Sequence, residues 1–196
     1  MTDKVLRVGG ASGFWGDAAR ATPQLLNCPH LDYIVYDYLA EITMSIMARA
    51  RAKDDSRGYA VDFVTAAMKP NLGLIAERGI KVVSNAGGDT PDACTHALRA
   101  VIAEQGLEPK VACVTGEDPM DSAHALQASG TTEMFSGEAF PPVEKLLSIN
   151  AYLGAFPIAR ALEMGADIVV TGRCVDSAVT LGACIHAFGW GRDDLD

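Results

Sequence analysis

The densest chemistry in the chain is TGRCVDS, Thr171 to Ser177, which follows the apolar run DIVV. Arg173 presents a planar fork of donors suited to a carboxylate or phosphate, or to a structural ion pair. Cys174 reads either as a thiolate activated by Arg173 and a helix N-terminus or as a small buried hydrophobe. Asp176 reads as a base or as the N-cap of a following helix. A second apolar run, YIVYDY, carries Asp37, and Glu41 follows it. Two carboxylates that close form an acid/base pair, because each disfavours ionisation of the other. The bland alternative is a cap at Asp37 and a first-turn acid at Glu41, favoured by the helix dipole. A third run ends in SNAGGD, where Asn85 offers a side-chain amide for a carbonyl or hydroxyl. Gly87 and Gly88 there offer backbone amides, and Thr90 caps the next helix. After a first run that includes Val5, Leu6 and Val8 come Gly9, Gly10, Ser12, Gly13 and Gly16. Glycines 10, 13 and 16 are spaced GxxGxxG, which departs from the dinucleotide fingerprint and lacks the GK[ST] of a P-loop. Gly10, Ser12 and Gly13 are expected to line an anion site, with a plain tight turn as the alternative. Trp15 lies just beyond, as a ligand cover or as core.

These groups need a scaffold that brings them together. Apolar runs bounded by turn residues predict strands near 4–9, 32–37, 80–85, 110–115 and 167–171, with a weaker one near 132–136. Helical spacing predicts helices over Glu41–Ala52, Ala93–Gln105, Asp118–Ser129, Ala151–Met164 and Asp176–Phe188. Another periodic stretch, Val61 to Ile75, is interrupted by Pro70. Thr90–Pro91 is an N-cap followed by proline in the first turn, and Asn150 is a second candidate cap. Alternating strands and helices predict an α/β fold, a mostly parallel sheet with helices packed on it in a Rossmann-like three-layer arrangement. Right-handed crossovers then gather the glycine-rich loops at the strands' C-terminal ends. Gly137 to Pro142, GEAFPP, is the best internal loop or lid candidate. One α/β domain over residues 1–196 is expected.

Composition narrows the classes. The chain has 196 residues, 49% hydrophobic and 21% charged, enough apolar material for a core. A net charge of −9 argues against nonspecific nucleic-acid or anionic-membrane partners. It leaves room for an anionic small ligand held locally. The five cysteines form no CxxC pair, which fits reduced thiols in a cytoplasm. No apolar run is long enough to cross a bilayer, and the start has no signal-peptide core. No HExxH or HxH occurs among the histidines, so no metal site is expected. No GxSxG elbow supports an α/β-hydrolase.

GGASGFWGD, DYLAEITMSIMARARAKD, SNAGG, NAYLGAFPIARALEMGADIVVTGRCVDSAVTLG and HAFGWG together resemble the N-terminal part of the acyclic terpene utilisation protein AtuA family. The resemblance runs from about Val5 to Trp190. It implies a bacterial cytosolic protein of acyclic terpenoid breakdown, of the citronellol or geraniol type, proceeding through branched acyl-CoA esters. It also implies that the chain is the N-terminal part of a longer architecture. No catalytic residues carry over from it.

The leading expectation is therefore an enzyme acting on a branched carboxylated or CoA-linked terpenoid by lyase or hydratase chemistry. Arg173 would hold an anion, Asn85 and the glycine amides would polarise a carbonyl, and Asp37, Glu41 or Asp176 would move a proton. A nucleotide-binding subunit and a non-catalytic assembly module with a C-terminal partner subunit or a second copy are the alternatives. No cofactor is assigned.

Overall fold

A computed structural model describes residues 4–194. Five strands, β1 (Val8–Ser12), β2 (Tyr33–Tyr36), β3 (Lys81–Gly88), β4 (Val111–Val114) and β5 (Ile168–Gly172), form one all-parallel sheet in the order β1-β2-β3-β5-β4. The central strands read as unbroken apolar runs because both their faces are covered. Ile34, Tyr36, Val82, Ile168 and Val170 face one core, and Tyr33, Val35, Val83 and Val169 face the other. The expected α/β, three-layer arrangement is the observed one.

Crossover handedness explains which helices lie where. The path β1 to β2 to β3 to β4 steps one way across the sheet, so its helices share a face. These are α1 (Ala18–Leu25), α2 (Glu41–Arg51), α3 (Leu72–Glu77) and α4 (Pro91–Glu104), with a π-helical stretch over Phe63–Met68. Their buried residues, among them Ala18, Met47, Phe63, Leu72 and Leu98, belong to the first core. The step from β4 back to β5 reverses direction. It places α6 (Ala155–Glu163) on the other face, where α7 (Ala178–Phe188), which follows β5, packs beside it and Ile158, Leu162, Val179 and Ala183 fill the second core. A short α5 (Ala123–Ala128) leads into residues 129–150, which carry one isolated bridge, Thr132 to Ala139, in place of the expected strand near 132–136. The chain therefore leaves adjacent strands β3 and β5 toward opposite faces. That is the switch point at which open α/β sheets leave a crevice beyond the strand ends.

Several boundaries differ from the expected ones, each for a physical reason. β1 begins at Val8 and takes in Gly9 and Gly10, which were expected in a loop. A Cβ at Gly9 would come within 2.9 Å of Leu25, so glycine is there to seat α1 against the strand. β3 continues through Asn85, Gly87 and Gly88. α6 begins at Ala155, because residues 150–153 are extended: Ala151 N–H donates to Glu117 O and Leu153 N–H to Arg173 O. Asn150 thus lies outside α6. Asp176 does not cap α7, since its carboxylate is turned to Arg173.

Candidate functional site

Three strand ends meet around Asp37. The Ser12 hydroxyl, at the end of β1, donates to the Asp37 carbonyl over 3.2 Å or to that of Phe14 over 3.0 Å. Asn85, on β3, is fully buried. Its Nδ2 donates to the Asp37 carboxylate at 2.6 Å, and its Oδ1 accepts from the Tyr38 amide at 2.7 Å. Both ends of the amide are thus committed, and Asn85 positions Asp37 rather than facing a ligand carbonyl. Asp37 itself is half-buried. Burial pushes its pKa up, the Asn85 bond opposes this, nearby Asp176 adds to the rise, and the Leu39 amide and Arg173 resist it.

A second group adjoins the first. Arg173, beyond the end of β5, is 2% exposed. Its guanidinium donates to Leu39 O at 2.8 Å, to Cys174 O at 3.0 Å, to Asp176 Oδ1 at 2.8 Å and to Glu41 Oε1 at 3.3 Å. The Tyr152 ring covers it, with the guanidinium carbon 4.1 Å from the ring centroid. Tyr152 also donates its hydroxyl to Glu41 at 2.5 Å. That bond is the main reason the exposed Glu41 carboxyl is held below the usual range, with its own amide and Arg173 helping. Arg173 was expected to hold an anionic group or to form a structural ion pair, and ion pairs with Glu41 and Asp176 are present. With two carboxylates of its own chain and an aromatic lid, it organises Glu41 and Asp176. Cys174 is buried beside Thr171, Asn85 and Asp37, and burial raises its pKa, which is the behaviour of a packing thiol and not of an activated nucleophile.

The glycine amides expected at the site are used differently. Gly10 sits within the β1–β2 ladder opposite Val35. The Gly13 amide already donates to the Asp17 carboxylate at 2.9 Å, so the turn carries its own anion. Gly87 is buried where a Cβ would lie 2.5 Å from Thr171 O. Gly88 is buried at φ +55°, against Met47 and Gly58. Close backbone packing, not ligand access, accounts for both. Trp15 packs on the first core and donates its indole N–H to Asp62 at 2.5 Å.

Ser12, Asp37, Asn85, Glu41, Arg173 and Asp176, far apart in sequence, therefore assemble at one edge of the sheet. A family model described as acyclic terpene utilisation family protein AtuA matches residues 6–196. The chain belongs to that family. Membership of the AtuA family implies a role in acyclic terpene utilisation. No curated protein and no solved structure gives a significant match. No helix among the described residues is long and apolar enough to cross a membrane, and no group of three or more histidine, cysteine, aspartate or glutamate side chains there is arranged to hold a metal ion.

Three residues at the same edge carry no earlier assignment. Tyr152, noted in sequence only as part of NAYLG, covers Arg173. Asp89 follows β3 and Glu117 follows β4, and both are buried. The signal that singled out Asp37, an acid just past an apolar run, holds equally for Glu117 in VACVTGED.

Proposed function

We propose that this AtuA-family protein is an enzyme that moves a proton on a branched acyclic terpenoid carrying a carboxyl or CoA-thioester group, by lyase or hydratase chemistry. The observation that carries the reading is the opposed pair of carboxyls at the strand ends. Asp37 is half-buried and pushed toward the protonated form, while Glu41 is held ionised by Tyr152. Environments that drive the protonation of two acids beside one guanidinium apart supply a proton donor and a fixed negative charge at one pH. Asn85 and Ser12 hold the Asp37 backbone and carboxylate in one orientation, as a proton-transfer group requires. Arg173 fixes Glu41 and Asp176 from beneath. An anionic substrate reaches that guanidinium only if Tyr152 swings away, so the tyrosine is the gate in this scheme.

The test is turnover of a CoA thioester of a branched acyclic terpenoid acid by the purified protein, followed by mass spectrometry. Asp37→Asn keeps the shape of the Asn85 contact and removes the titratable group. The expected loss in kcat is about 10²- to 10⁴-fold, with the fold retained. A folded Asp37→Asn protein with undiminished kcat removes Asp37 from the mechanism.

A further inference from the structure

The outward face of α2 joins two kinds of chemistry. Glu41, one of the carboxyls gathered at Arg173, is its first residue. Ile42 and Ile46 follow on one side of the helix, 72% and 47% exposed. Arg49 and Lys53 continue the same stripe, at i, i+4, i+7 and i+11 from Ile42. Lys53 lies in the turn just past Arg51, the last residue of α2, with its amide donating to Ala50 O. At that end of the helix a hollow of about 470 Å³ opens, lined by Ile46, Arg49, Ala50, Lys53, Asp54 and Arg57.

The hollow is cationic in an acidic molecule. Three basic side chains line it against one carboxylate, in a chain of net charge −9. That carboxylate, Asp54, is already engaged. Its Oδ2 lies 3.2 Å from Arg57 Nε, and its Oδ1 accepts from the Ser56 amide and hydroxyl. Arg49 and Lys53 meet no carboxylate within salt-bridge distance among the described residues. Arg51 shows the contrast, since it turns to Asp89 and Asp118 at 3.0 and 3.4 Å. Arg49 and Lys53, four residues apart at one hollow, repel each other, and an anion between them relieves that repulsion.

We propose that Arg49, Lys53 and Arg57 hold the phosphates of a coenzyme A thioester, whose pantetheine arm runs back along Ile46 and Ile42 to the carboxyls at Glu41 and Asp37. The lengths agree. From Glu41 to Arg49 the helix axis rises about 12 Å, and the side chains reach further. An extended pantetheine arm, with amide-chain geometry, spans about 15 Å between sulfur and the nearest phosphate. The charges also choose between the two substrate forms of the proposed function. A free carboxylate brings its charge among Asp37, Glu41 and Asp176, where Arg173 is already engaged beneath Tyr152. A thioester is neutral at the reacting end and carries its charge a helix length away, where Arg49 and Lys53 stand. The inference rests on the proposed function for the reacting end of the ligand and deepens it by naming the thioester and its phosphate anchor.

The experiment follows amide NMR shifts of the protein on titration with coenzyme A, with pantetheine, which lacks the phosphates, and with inorganic pyrophosphate. Coenzyme A is expected to shift the amides from Ile46 to Gly58, to bind at least tenfold tighter than either fragment, and to weaken as salt rises. Arg49→Gln combined with Lys53→Gln changes two exposed side chains and leaves the core untouched. It should weaken coenzyme A at least tenfold and pantetheine less than twofold. Unaltered coenzyme A binding in that variant, or pyrophosphate binding as tightly as coenzyme A, overturns the proposal. Coenzyme A shifts that miss the end of α2, in a protein that still turns over the branched thioester through Asp37, overturn it while sparing the proposed function. Coenzyme A held at α2 by a protein that turns over no such thioester leaves the phosphate site standing and removes the proposed reaction.

Discussion

At the scale of single residues, burial decides which polar groups act and which only hold others. Arg173 is the clearest case. Its type and position predict a ligand anchor or a structural ion pair, and its guanidinium is shared among the Leu39 and Cys174 carbonyls, Asp176 and Glu41. Arg173→Ala leaves the Leu39 carbonyl without its donor and strips Tyr152 of the cation beneath its ring. Loss of buried hydrogen bonds of this kind costs roughly 2 kcal/mol. For a chain of this length that corresponds to a fall in Tm of about 4–8 °C in a calorimetric scan. The same variant should let the Glu41 carboxyl rise back toward its ordinary value, readable by carboxyl NMR, because one of the groups holding it ionised is gone. An unchanged Tm would show that the guanidinium stabilises nothing. Sequence could not show that Arg173 is sequestered, since Tyr152, Glu41 and the Leu39 carbonyl reach it only through the tertiary fold.

At the scale of elements, the sheet's C-terminal edge depends on close approach between backbones. Gly88 ends β3 at positive φ, paired with Gly172 of β5, with Met47 and the Gly58 carbonyl where a Cβ would stand. Gly88→Ala meets a disfavoured conformation and a steric overlap at once, and the expected loss of stability is roughly 3 kcal/mol or more. Chemical denaturation measures it, and a loss below about 1 kcal/mol would mean that α2 shifts freely, since overpacking a rigid site costs more. The apolar runs located all five strands, because period and turn chemistry are local signals. The glycines misled at their ends. GGAS in β1 and NAGG in β3 read as loops, because the reasons for glycine there lie in Leu25, Met47, Gly58 and Thr171, on other elements. The helix over Ala18–Leu25 went unread, and the one expected from Ala151 starts late, because residues 150–153 are tied across the ends of β4 and β5.

At the scale of the whole molecule, the same edge sets how stability responds to pH. Asp37, Asp89 and Glu117 all have carboxyls raised by burial in the folded state. A raised acid holds its proton more tightly when folded, so the native state binds more protons than the unfolded chain between the ordinary carboxyl pKa and the raised one. Through that window stability falls as pH rises. The carboxyls held low, Glu41, Asp54 and Glu133, are exposed and act in the opposite sense only as pH falls below the ordinary carboxyl range. His186, lowered by partial burial, also opposes: its contribution is lost as pH drops below its ordinary value of 6.5. Three acids raised by burial against one half-exposed imidazole predict a Tm that falls as pH rises above the ordinary carboxyl range. The net charge of −9 pushes the same way, because a more anionic surface repels itself more strongly as pH rises. Salt separates the two causes. Screening at about 1 M ionic strength suppresses the surface part, whereas the cost of ionising a buried carboxyl persists. The slope should therefore survive high salt in the wild type and flatten in Asp37→Asn combined with Glu117→Gln. A slope that vanishes in salt alone would assign it to surface charge and leave the buried acids ionised without cost, against the desolvation on which the proton-donor role of Asp37 rests.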